Sequence, residues 1–187
     1  MNSRSGDDLY QRLGVKRIVN AASWRTSLGG SIMPNQVLRA MENASRWFVD
    51  VDELNEKAGQ IIAKLTGAEA GLVTAGSAAG MLLEAAACIA GTDPAKIRKL
   101  PDTIGMKNGI VIHRAHRVNY DRSFRAAGAR LVEIGNSEMT YEWELKSAID
   151  ENTVAVAYIF APRQGGALSL PKVVEIAHHE GIPVVVD

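Results

Sequence analysis

Val154-Ala155-Val156-Ala157-Tyr158-Ile159 runs without a charge and without alternation between apolar and polar residues. A strand with one wet face alternates with a period of two, so an unbroken apolar run indicates burial on both faces. Outward from it the pattern repeats. Gly109 to Ile112, Arg130 to Ile134 and Pro183 to Asp187 read as strands, and the Val154 run extends to Phe160. Helical segments lie between them, around Val118 to Ala127, Tyr141 to Ile149 and from Pro171 to Gly181. Upstream, Pro34 suits the first turn of a helix running to about Phe48. A second helix fits Asp52 to Leu65, with Leu54, Ala58, Ile61, Ile62 and Leu65 on one face and Gly67 ending it. A short strand, Gly71 to Thr74, leads into a long apolar helix ending near Ala90. The span from Gly91 to Asn108, with Pro94 and Pro101, reads as a loop with one turn. Doubly buried strands interleaved with helices define an α/β fold: a mostly parallel sheet with helices on both faces.

The 187 residues are 47% hydrophobic and 22% charged, the balance of a globular chain. Lys plus Arg and Asp plus Glu each total 21, so no global field attracts nucleic acid or an acidic membrane. The single cysteine, Cys88, rules out an intrachain disulfide and, in its apolar run, reads as a structural thiol. There is no signal-peptide core and no membrane-length apolar stretch, so the expected compartment is the cytoplasm.

Four places carry chemistry. In Thr74-Ala75-Gly76-Ser77-Ala78-Ala79-Gly80, small residues let a ligand approach the backbone, and the first amides of the following helix favour an anion. That is a phosphate cradle; the plainer alternative is a tight turn with small residues for packing. The motif is neither G-x-G-x-x-G nor G-x-x-x-x-G-K-[ST], which removes support for dinucleotide and nucleoside-triphosphate sites. After the strand ending at Ile112 comes His113-Arg114-Ala115-His116, where a histidine would stack on a flat heteroaromatic ring or lie on the surface. A metal there lacks cysteine and acidic co-ligands. Pro162-Arg163-Gln164-Gly165-Gly166 offers donors after the strand ending at Phe160, or is a solvated glycine turn. Asp187 ends an apolar strand, where a carboxylate needs a cation or a hydrogen-bonding network. A protonated pyridine nitrogen is such a cation; capping of a following turn is the alternative. The order of these four features matches that expected of fold-type I pyridoxal-phosphate (PLP) enzymes.

Further stretches sharpen the likeness. Val19-Asn20-Ala21-Ala22, Leu28-Gly29-Gly30-Ser31, Phe48-Val49-Asp50 with Leu54, and Leu65-Thr66-Gly67-Ala68-Glu69-Ala70 resemble one branch of those enzymes. It contains the selenocysteine synthases (L-seryl-tRNA(Sec) selenium transferases) and the D-glucosaminate-6-phosphate ammonia-lyase type. The resemblance runs from about Leu13 to Asp187. It implies a partial large domain of the fold-type I PLP-dependent transferases. Residues 1–50 would lead into the core and 51–187 would form the first part of the PLP-binding domain. It further implies that Gly76, Ser77 and Ala78 hold the PLP phosphate, that His116 stacks on the ring and that Asp187 pairs with the pyridine nitrogen. Gln164 would lie near the cofactor, and Asn20, Arg25 and Arg163 near the substrate. No metal is implied.

The family's Schiff-base lysine lies beyond the aspartate, and neither Lys107 nor Lys172 has a matching context. The chain therefore reads as an N-terminal fragment, truncated before the cofactor lysine and inactive alone, with an incompletely covered sheet and poor solubility. Its full-length parent is expected to be an oligomer, at least a homodimer. The expected parent activity is α,β-elimination from a small amino acid or amino sugar acid. Balanced charge and a core-like start within the first twenty residues make tRNA the less favoured substrate. The alternatives are a class V-type aminotransferase or desulfurase, or a non-catalytic remnant.

Overall fold

A computed structural model describes residues 9–22, 25–160 and 165–187. The chain divides into two compact units, 1–60 and 61–187.

In the first unit, α1 (Leu9–Arg12) is followed by a 3-10 turn at Thr26–Leu28 and by α2 (Asn35–Ala44). Pro34 is the N-cap of α2, just before the position expected. α3 (Val51–Thr66) begins in this unit and crosses its boundary. The Asp50 carboxylate accepts from the Asp52 and Glu53 amides, satisfying two donors of its first turn. Large apolar residues of this unit stand in solvent: Val19, Ile32 and Phe48 are 95%, 98% and 108% exposed.

The second unit continues with α4 (Ser77–Ala90), α5 (Pro94–Lys99), β1 (Gly109–His113), α6 (Arg122–Ala126), β2 (Arg130–Ile134), α7 (Glu142–Ala148), β3 (Thr153–Tyr158), α8 (Leu170–His179) and β4 (Val184–Val186). The four strands form one sheet in the order β2-β1-β3-β4, parallel throughout. Alternate residues of each strand feed opposite faces. Ile110, Ile112, Ala155, Ala157 and Val185 pack with Met81, Ala85 and Ile89 of α4 and Phe124 of α6. Val111, Val156 and Ile134 pack with Leu145 of α7 and Val173, Ile176 and Ala177 of α8. Cys88 is half-buried against the first cluster, and burial pushes its thiol up. The helix-to-strand turn between α6 and β2 is tight. At Gly128, with φ +96°, an added Cβ would lie 2.3 Å from the Pro101 carbonyl oxygen, so no other residue fits without backbone movement.

Residues 71–74 differ from the sequence reading: they are not part of the sheet, and Leu72 and Val73 are 60% and 50% exposed. Apolar, β-branched composition supplies propensity, but a strand exists only through its ladder, and none of the four strands pairs with this segment.

Candidate functional site

α4 begins where the small-residue motif predicts. Gly76 is the N-cap with φ +123° and ψ 169°, a conformation open to glycine and strained for residues with a Cβ. Its carbonyl accepts from the Ala79 and Gly80 amides, while the Thr74 hydroxyl donates to it at 3.0 Å. The amides of Ser77 and Ala78 and the Ser77 hydroxyl have no acceptor among the described residues, and both residues are exposed. Unsatisfied donors at the positive end of a four-turn helix are the donor set a phosphate group takes.

At the carboxyl end of β1 the histidines are interior. His113 is 0% and His116 1% exposed. Their ring centroids lie 5.0 Å apart, and the His116 ring stands edge-on to Tyr158 of β3 at 4.4 Å. The Ile159 N–H donates to His116 Nδ1 (3.3 Å), which places the His116 proton on Nε2. Burial lowers the His116 pKa. Among the described residues, neither ring nitrogen of His113 has a hydrogen-bond partner. Burial, then the neighbouring His116, brings the His113 pKa down to about 4. The unfolded chain therefore takes up a proton near pH 6.5 that the folded site refuses until about pH 4. Stability is retained above the upper value and lost as pH falls between the two, by about 3 kcal/mol. Urea unfolding of the full-length protein between pH 7 and pH 4 checks this, and His113→Leu is expected to flatten the profile.

Asp187 continues the β4 ladder. Its N–H donates to the Tyr158 carbonyl (3.0 Å), and its own carbonyl accepts from the Phe160 N–H (2.7 Å). Its side chain faces outward and acts on Glu84 of α4, whose carboxyl is pushed up by burial and then by the Asp187 charge. His116 and Asp187 thus engage opposite sides of the same short stretch, Tyr158 to Phe160, at the end of β3. Glu84 lies seven residues after Ser77, about 10 Å along the helix. His116 and Asp187 follow β1 and β4 at the carboxyl ends of the strands, where ligands of parallel sheets gather, and Gly76, Ser77 and Ala78 open α4, the helix whose Glu84 feels the Asp187 charge.

Of the remaining sequence candidates, Arg163 and Gln164 lie outside the described residues. Asn20 and Arg25 belong to the first unit. The Asn20 side chain accepts from the Ala22 N–H (2.9 Å) and borders a 920 Å³ cleft with Tyr10 and Leu28. Arg25 is exposed, and its carbonyl caps the 3-10 turn by accepting from Leu28 and Gly30. Lys172 is held on the α7–α8 surface by Glu175 (2.8 Å) and Glu142 (3.8 Å). Among the described residues no cluster of three His, Cys, Asp or Glu side chains forms a metal site. Tyr158 and Glu84 escaped the sequence reading. Tyr158 sits inside the apolar run that identified β3, and Glu84 meets Asp187 only through the packing of α4.

No protein-family model matches the chain. It is 37% identical over 186 residues to the D-glucosaminate-6-phosphate ammonia lyase of Salmonella typhimurium, covering 96% of this chain and 50% of that protein. It is 36% identical to a 5'-C-glycyluridine monooxygenase-decarboxylase from Streptomyces, covering 95% and 47%. An L-seryl-tRNA(Sec) selenium transferase from Actinobacillus pleuropneumoniae is 28% identical, with 96% and 41% covered. The solved D-glucosaminate-6-phosphate ammonia-lyase superposes with a TM-score of 0.92 at 36% identity, over 97% of this chain and 51% of that one. Aspartate aminotransferase from Thermotoga maritima superposes at 0.56 with 16% identity, a likeness of fold, over 95% and 48%.

The fold is that of the large domain of the fold-type I PLP-dependent transferases. Within that class, the chain's homologues are the D-glucosaminate-6-phosphate ammonia-lyase and the seryl-tRNA(Sec) selenium transferases, the branch its sequence motifs resemble. The chain spans about half the length of the curated relatives it matches.

Proposed function

We propose that this chain provides the PLP-binding half of an enzyme catalysing α,β-elimination on a small amino acid or amino sugar acid. Three features support the reading: amides at Ser77 and Ala78 without an acceptor among the described residues, the buried His116 ring that follows β1, and the Asp187 carboxylate that follows β4. The donor set fits the cofactor's phosphate, and a strand-end carboxylate fits a protonated pyridine nitrogen. Bound PLP supplies an electron sink that stabilises the negative charge left by a departing α-proton, so that a β-substituent can leave.

The residues of this chain bind and orient. Ser77 and Ala78 fix the phosphate through backbone N–H groups, and the Ser77 hydroxyl adds a third donor. Asp187 holds a proton on the pyridine nitrogen through charge pairing. His116, neutral because it is buried, presents its ring without adding positive charge beside that pyridinium. Asn20, Arg25, Arg163 and Gln164 are the residues we assign to substrate and cofactor contacts in the assembled enzyme. The elimination chemistry is supported by the ammonia-lyase at 37% identity. Selenium transferases act on a seryl-tRNA by name, yet they stand at 28% identity and below, and this chain carries zero net charge. Among the described residues no helix is long and apolar enough to cross a membrane. A cytoplasmic homo-oligomer is the setting we assign.

The test is the visible spectrum of the full-length protein mixed with PLP, where a band at about 410–430 nm is expected for the protein-bound cofactor. No band at saturating PLP sinks the reading. Product analysis then separates elimination, which yields keto acid and ammonia, from transfer of the amino group to an acceptor.

A further inference from the structure

From the arginines that follow β1, we propose a second anion site, distinct from the Ser77 cradle, that takes a phosphomonoester group of a small molecule. A cleft of about 610 Å³ opens between the 3-10 turn Asn119–Asp121 and α6, lined by Arg117, Asn119, Tyr120, Asp121, Arg122 and Arg125. Three arginines border one cleft after β1, and a buried carboxylate fixes one of them and attracts a second. Asp121, with its side chain 4% exposed, accepts from Arg117 Nε at 2.5 Å and lies 3.6 Å from Arg125 Nη2 through its other oxygen. Arg117 also pairs with Glu133 of β2. Arg122 is exposed and has no acidic partner among the described residues. Counting both carboxylates against the three arginines leaves one positive charge, carried by Arg122 beside the still unused donors of its neighbours.

A rigid fork of five N–H donors per guanidinium matches the oxygen geometry of phosphate. A phosphomonoester, nearly doubly charged at pH 7, gains most from such a cluster. Because Asp121 already holds Arg117, that side chain has little freedom left to lose on binding.

The experiment is calorimetric titration of inorganic phosphate into the full-length, PLP-saturated protein at constant ionic strength, with chloride as the control anion. Saturable binding is expected in the parent. Arg122→Ala, which removes no recorded contact, should weaken it about tenfold, and R122A/R125A should remove it. Circular dichroism of each variant confirms the fold. Non-saturable uptake, equal competition by chloride, or unchanged affinity in R122A/R125A would overturn the proposal. So would binding of a single-stranded RNA where inorganic phosphate does not bind. The site stands apart from the cofactor reading: a protein without a PLP band is titrated in the same way, and binding lost on Ser77→Asp but retained in Arg122→Ala would assign the phosphate to the cradle instead.

Discussion

Asp187→Ala in the full-length protein is expected to lower turnover by at least about a hundredfold while leaving the fold intact. Asp187 contributes to the sheet through its backbone, bonded to Tyr158 and Phe160, and those bonds survive truncation of the side chain. What is lost is the negative charge that we assign to pairing with the pyridine nitrogen. Removing one preorganised electrostatic partner from a site costs about a hundred- to a thousandfold in rate. Glu84 is a poor substitute, because burial alone still pushes its carboxyl up once the Asp187 charge is gone. Steady-state kinetics with the spectrum of the PLP-loaded variant checks the expectation. Retained turnover with an unchanged spectrum would place the pyridine nitrogen elsewhere.

Phe124→Ala is the largest stability loss expected. Phe124 is fully buried on α6, among Met81, Ala85 and Ile89 of α4 and Ile110 and Ile112 of β1. Truncation removes most of a ring from water-free contact and leaves a cavity that the sheet, fixed by its ladders, cannot fill. The cost is about 3–5 kcal/mol. Denaturant unfolding of the full-length protein measures it. Trp143→Ala, at a residue 63% exposed on α7, is the control and should change stability by less than about 0.5 kcal/mol. Comparable losses for the two would contradict the two-faced core.

The elements most legible in the sequence are those whose residues contact both helix layers. Gly109–His113 and Thr153–Tyr158 carry apolar side chains on successive positions because each face of the sheet is covered there. The helix start at Ser77 was legible because Gly76 needs a positive φ and small neighbours. The segment 71–74 reads as a strand and is not one in this structure, since composition does not supply a neighbouring ladder.

Sequence alone determined the α/β class, the order of the elements and the chemical type of each site residue, because these follow from local periodicity and from what each side chain can donate, accept or charge. It also carried the family likeness. Tertiary structure alone decided the strand order β2-β1-β3-β4, the interior position of His113 and His116 against Tyr158, the meeting of Glu84 with Asp187, and the gathering of Arg117, Arg122 and Arg125 around Asp121. The physical reason is distance along the chain. Contacts between residues tens of positions apart, or a clustering that depends on how one turn folds, are set by which faces pack together, and no local pattern encodes that.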